Sequence, residues 1–127
     1  MKILFLTKYG DDGPSSRYRF YNYIPYLEKA EIDYCFKPLL NNRYIFYLYS
    51  KQKSKALILS VFSIFKRIAF LLFNSKKYDL IIIEKELFPN FPHFLESFLL
   101  RGQSYALDFD DYIAVSYKEN KYKRFFL

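Results

Sequence analysis

The sequence predicts an α/β fold: an open sheet of parallel strands, short of the full complement for its kind, with helices on both faces. Three observations carry that expectation. Short apolar runs at residues 2–7, 32–40, 78–84 and 104–109 read as strands. Helix-patterned segments separate them, and strand–helix–strand alternation favours parallel pairing with right-handed crossovers. The run Leu80-Ile81-Ile82-Ile83 is continuous in apolar side chains, as in a strand covered on both faces.

The elements follow in chain order. Residues 2–7 form a short buried strand that ends in the loop Lys8-Tyr9-Gly10-Asp11-Asp12-Gly13-Pro14. Ser15 or Ser16 is the expected N-cap of a first helix. That helix runs to Tyr26 or Lys29 and is kinked or split at Pro25, which lacks a backbone donor. Residues 32–40 make the second strand, and residues 44–49 a short helix. Residues 55–73 are the most apolar stretch. Its polar members Ser60, Ser63 and Arg67, spaced by three and four, form one helical stripe among apolar faces. Residues 78–84 make the third strand. A helix over residues 91–101 closes at Gly102, and residues 104–109 make the fourth strand, ending in acids. No repeat or low-complexity linker is evident. The series reads as half of a doubly wound sheet, and four strands are few for one.

Composition narrows the class. The 127 residues are 52% apolar and 23% aromatic, which supports a real core and excludes a disordered tail. Cys35 is the only cysteine, so no intrachain disulfide forms, and its apolar neighbours mark it as a small core residue. With His93 the only histidine, neither a His/Cys zinc set nor a Ser-His-Asp triad is supported. No metal site is expected. The N-terminal apolar run is too short for a signal peptide, so a cytoplasmic chain is expected.

Net charge is +7, unevenly spread. Residues 34–78 hold nine cations (Lys37, Arg43, Lys51, Lys53, Lys55, Lys66, Arg67, Lys76 and Lys77) and no acid. Such a segment suits an anionic membrane surface, a nucleic acid or an acidic partner. Lys66 and Arg67 near the middle of the apolar helix argue against a transmembrane span, because each charge costs about 2.5–3.5 kcal/mol at a bilayer centre. Lying in the interface is compatible with an apolar body and basic ends. On that reading Lys55, Lys66, Arg67, Lys76 and Lys77 face the membrane. A helix that simply packs on the sheet is the plainer alternative.

Three groups could carry chemistry. Gly13-Pro14-Ser15-Ser16-Arg17-Tyr18-Arg19 lies between the first strand and the first helix, where open α/β sheets bind ligands. Ser15 and Ser16 offer hydroxyl donors, and Arg17 a phosphate-matched fork. A plain helix cap followed by solvated arginines is the alternative. No dinucleotide glycine fingerprint or P-loop is present. Glu84-Lys85-Glu86-Leu87-Phe88-Pro89 ends the third strand, with Glu84 and Glu86 on one side by alternation; a solvated strand end is the plainer reading. Asp108-Phe109-Asp110-Asp111 ends the fourth, and clustered carboxylates there call for a cation, a basic group or sugar hydroxyls.

Taken together, residues 1–19 with Tyr26-Leu27-Glu28, residues 78–89 and residues 108–111 resemble the N-terminal domain of family-four GT-B glycosyltransferases. The resemblance rests on their order and spacing and covers essentially the whole chain. It implies one partial, acceptor-side Rossmann-like domain over residues 1–127, with the donor-binding domain absent. The implied activity is transfer of a sugar from a nucleotide-sugar, the co-substrate, to a cell-surface glycan or lipid-linked acceptor in polysaccharide biosynthesis. No further cofactor and no nucleic acid is implied. By similarity, the loop from Gly13 through Ser15 and Ser16 to Arg17 borders the donor diphosphate, and Glu86 borders the acceptor pocket. Arg19, Glu84 and Asp108 are further substrate-binding candidates, and Asp110 and Asp111 are the catalytic candidates. Asp110 departs from the histidine many relatives carry there. The family's Glu-x7-Glu donor motif has no counterpart. The expectation is thus a fragment, a truncated product or half of a split enzyme, inactive alone, working with a separate donor-binding domain or chain, and peripheral at the inner face of the plasma membrane. Two alternatives stand beside it: a membrane-surface or partner-binding module using residues 37–77, and a haloacid-dehalogenase-type phosphatase using Asp108 and Asp110.

Overall fold

The structure, a computed structural model, describes residues 1–89 and 91–109. Strands β1 (Lys2–Leu6), β2 (Asp33–Phe36), β3 (Leu80–Glu84) and β4 (Tyr105–Asp108) form one parallel sheet in the order β2-β1-β3-β4. Five helices connect them among the described residues: α1 (Pro14–Arg19), α2 (Ile24–Lys29), α3 (Asn42–Tyr49), α4 (Lys53–Asn74) and α5 (His93–Leu99). The α/β class and the parallel sheet read from the sequence are both present.

Side chains alternate along β1 and enter two cores. Leu4 and Leu6 join Ile81, Ile83, Leu71 and Leu99, beneath α4 and α5. Ile3 and Phe5 join Phe20, with Leu27, Leu80 and Ile82 around them, beneath α1 and α2. Helices therefore cover both faces, which explains why β1 and β3 are apolar throughout instead of alternating. Burial of each such side chain contributes roughly 1.5–3 kcal/mol.

The first crossover departs from the sequence reading in two places. Its helix begins at Gly13, the N-cap, with Pro14 in the first turn, where no amide hydrogen is needed. Ser15 and Ser16 are therefore inside the helix, and neither caps it. The break falls at Phe20, not Pro25. Phe20 leaves helical geometry (φ −132) and drops its ring edge-on to Phe5, centroids 6.0 Å apart. Pro25 then sits in the first turn of α2, where it is tolerated. Gly13 is required by space: a Cβ there would collide with the Tyr9 side chain, 2.9 Å from its Cγ. Gly13→Ala is expected to lose about 1–3 kcal/mol in urea denaturation through this overpacking.

β2 is shorter than the run at 32–40. Pro38 has no amide hydrogen, and the strand ends before it. The chain still follows the β1 exit: Lys37 N–H donates to Phe5 O, Leu39 N–H to Thr7 O and Leu40 N–H to Lys8 O, each at 2.9 Å. Asn41 caps α3, accepting from Tyr44 N–H at 3.1 Å. α5 is shorter than the run at 91–101: it ends at Leu99 with Leu100 as its C-cap, and Gly102, at φ +74, lies in the turn beyond and does not itself cap the helix.

α4 turns a polar stripe inward. Ser60, Ser63 and Arg67 lie with Ala56, Ile64 and Leu71 on the side toward the sheet, and Ala56, Arg67 and Leu71 are fully buried. Leu57, Ile58, Val61, Phe62, Phe65, Leu72 and Phe73 point into solvent, Phe73 being 81% exposed. Lys55, Lys66, Lys76 and Lys77 are exposed as expected, but Arg67 is not available to a membrane.

Candidate functional site

The rim formed by the carboxyl ends of the strands is where the sequence-predicted residues meet. β1 lies between β2 and β3, so chain connections leave it toward opposite edges of the sheet. Ligands in open parallel sheets bind where this reversal occurs. In this protein that position is closed by two charged side chains, one on each face.

Glu84, the last residue of β3, shares the side of Ile82 and faces α1. It is 1% exposed. Its Oε2 accepts from Lys8 N–H at 2.8 Å and Ser16 Oγ–H at 2.6 Å, and its Oε1 accepts from Ser15 Oγ–H at 2.8 Å. Ser16 Oγ in turn accepts Tyr9 N–H at 3.0 Å. Thr7 Oγ1 donates to Tyr9 O at 2.8 Å. The loop leaving β1 thus folds around one carboxylate. This corrects the expectation for two residues. Ser16 and Glu84 are buried, and the serine hydroxyl hydrogens expected to reach a phosphate are directed at Glu84.

Arg67 closes the other face. Its Nη2 donates to Thr7 O and Lys37 O, both at 2.7 Å, and its Nη1 to Leu87 O at 3.3 Å. One guanidinium therefore ties together the segments that leave β1, β2 and β3. Burial pulls its pKa down to about 9, against the opposing pull of the Glu84 charge, so it stays charged at neutral pH. The physical reason α4 turns this stripe inward is the supply of acceptors: three carbonyls at strand exits offer more than solvent can to a delocalised planar cation.

Beside Glu84, across the β3–β4 ladder, stands Asp108. Arg19 reaches it from the end of α1: Nε and Nη2 both approach Oδ2, at 2.7 and 2.6 Å. The Asp108 side chain keeps 40% exposure and that of Arg19 17%, so the pair is open to a ligand from one side. Directly after Glu84 the chain makes a tight turn. Lys85 adopts φ +63, Glu86 N–H donates to Glu84 O at 2.8 Å, and Lys85 N–H donates to Asp108 O at 2.9 Å. Left-handed geometry costs a non-glycine residue about 1–2 kcal/mol, and such strain gathers where a site needs it.

Ser15, Ser16, Glu84, Arg19 and Asp108 are brought together, with Gly13 buried beneath the loop. Glu86 follows the turn, half-buried. Arg17 does not join them: it is exposed and lies over the Tyr18 ring, 5.4 Å from its centroid. Asp110 and Asp111 lie outside the described residues. Sequence reasoning missed Arg67 as part of the rim. The signal was present, since a lone polar stripe on an apolar helix has as strong a claim to face inward as outward.

Comparison of the chain with protein-family models, with curated proteins and with solved structures returns no match.

Proposed function

We propose that this chain is the acceptor-side half of a glycosyltransferase, its sheet an incomplete Rossmann-like one. The observation that carries the reading is the Arg19–Asp108 pair, half open at the carboxyl rim beside the sealed Glu84 network. Carboxylate and guanidinium side by side offer an acceptor and a donor, the pairing that sugar hydroxyls take. The rigid Glu84–Ser15–Ser16 network holds α1, and with it Arg19, in fixed relation to β4. In the transfer, the bond between the anomeric carbon and the diphosphate oxygen breaks, and the nucleoside diphosphate leaves with its electron pair. An acceptor hydroxyl oxygen forms the new bond, and its proton passes to a base. Arg19 and Asp108 serve as acceptor-positioning residues. Asp110 and Asp111 remain the catalytic candidates by resemblance alone.

Calorimetric titration with oligosaccharide acceptors and nucleotide-sugars tests this. The chain alone is expected to bind acceptor without turning over. Asp108→Asn and Arg19→Gln are each expected to weaken acceptor binding about tenfold, the loss of one charge-assisted hydrogen bond. Sugar transfer by the isolated chain would refute the half-enzyme reading. Magnesium-dependent hydrolysis of a phosphomonoester, abolished by Asp108→Asn, would replace it with the phosphatase alternative.

A further inference from the structure

We infer that the outer face of α4 and the basic groove beside it dock this protein on an anionic phospholipid bilayer, with α4 lying in the interface plane. Leu57, Ile58, Val61, Phe62, Phe65 and Leu72 all point outward from α4. At 100° per residue they span an arc of roughly 140°, wider than the core-facing stripe of an ordinary surface helix. The most apolar 18 residues within Lys53–Lys77 have a mean hydropathy of 2.1, and only 17% of them are buried. An exposed apolar face of this length marks an interaction surface.

Charge identifies the occupant. A groove of about 540 Å³ runs alongside α4, with Lys37, Arg43 and Lys66 on its walls and Leu59, Phe62 and Phe70 between them. Phe62 and Lys66 belong to both the groove and the outer face, so the two surfaces are continuous. Lys66 Nζ stands 4.9 Å from the Phe62 ring centroid, and Lys37 Nζ 5.1 Å from that of Phe70. These ammonium groups thus sit on the boundary between apolar and polar surface, the placement a headgroup phosphate meets. Among the described residues none of the three cations is paired with a carboxylate. No acid occurs between Tyr34 and Tyr78. A second copy seated on this face by two-fold symmetry would set cations against cations with no acid to offset them. An anionic lipid surface supplies both the missing negative charge and an apolar layer beneath it.

Arg67 decides between lying on the membrane and crossing it. To span, α4 would have to leave the sheet, break the three bonds from Arg67 to strand-exit carbonyls and carry that charge into hydrocarbon. Anchored by them, the helix presents only its outer half.

The test is flotation of the purified chain with vesicles of phosphatidylcholine, alone or mixed with phosphatidylglycerol. Binding is expected to the mixed vesicles only and to weaken as salt rises. Lys37→Gln, Arg43→Gln and Lys66→Gln are each expected to reduce partitioning about fivefold. Phe65→Ser is expected to reduce it about tenfold through lost apolar insertion. All four side chains are on the surface, so unchanged thermal melting separates these losses from misfolding. The chain contains no tryptophan, so Phe65→Trp gives a clean fluorescence probe, expected to shift to the blue on mixed vesicles. Four results would each overturn the proposal: equal binding to neutral vesicles, full displacement by soluble inorganic phosphate, preferential capture of RNA, or a lipid-independent dimer that shields Phe65→Trp from quencher.

Discussion

Arg67→Ala is expected to lower the unfolding free energy by about 3–5 kcal/mol, the usual cost of removing one member of a buried charged network. Small domains hold only about 5–15 kcal/mol in total, so this loss is a large share of the stability. Two costs combine. The carbonyls of Thr7, Lys37 and Leu87 lose their shared donor, at three separate strand exits. The Glu84 carboxylate, almost wholly buried, also loses the favourable charge interaction with Arg67. Arg67→Lys should recover less than half of the loss, because one ammonium on a flexible stem cannot reproduce a planar fork reaching three segments. Equilibrium urea denaturation of the three proteins checks this. A change below about 1 kcal/mol for Arg67→Ala would show that the clasp does not hold the rim.

Glu84→Ala should be nearly as costly, about 3 kcal/mol or more, for the converse reason. Ser15 Oγ, Ser16 Oγ and Lys8 N–H each donate to this carboxylate, and the cavity left behind is too enclosed for bulk water to serve all of them. Glu84→Gln keeps the shape and one acceptor oxygen, so it should cost about 1–2 kcal/mol. The two sites are coupled through charge, so the double variant Arg67→Met with Glu84→Gln should be less unstable than the sum of its parts by about 0.5–3 kcal/mol. Strict additivity would mean that the two faces of the rim are held independently. Because Glu84 also positions α1, its loss should disturb the Arg19–Asp108 pair. Proton spectra of the Glu84→Gln variant can follow this without unfolding the chain.

Much of this architecture was legible in the sequence. The apolar runs around Leu4 and Ile82 were recognisable as strands because a strand buried on both faces needs no polar alternation, whereas β4, at the sheet edge, is largely exposed. The clustering of acids at strand ends followed from local chemistry. Boundaries were less legible. The first helix broke at Phe20, ahead of Pro25, because a ring was needed in the core beside Phe5. The serines read as a cap turned inward because Pro14 had already begun the helix.

By itself the sequence determined the class of fold, the strand direction and the fact that Ser15, Ser16, Glu84 and Asp108 would meet at one rim. Each of these depends on near neighbours and on the alternation of side chains. Only the tertiary structure decided which of those groups are open to a ligand and which face of α4 looks outward. Both answers turn on partners far away in the chain: a carboxylate 68 residues from the serine it accepts from, and a carbonyl 60 residues from Arg67. A polar side chain is buried where its hydrogen bonds are satisfied, and no local pattern records where those partners will be.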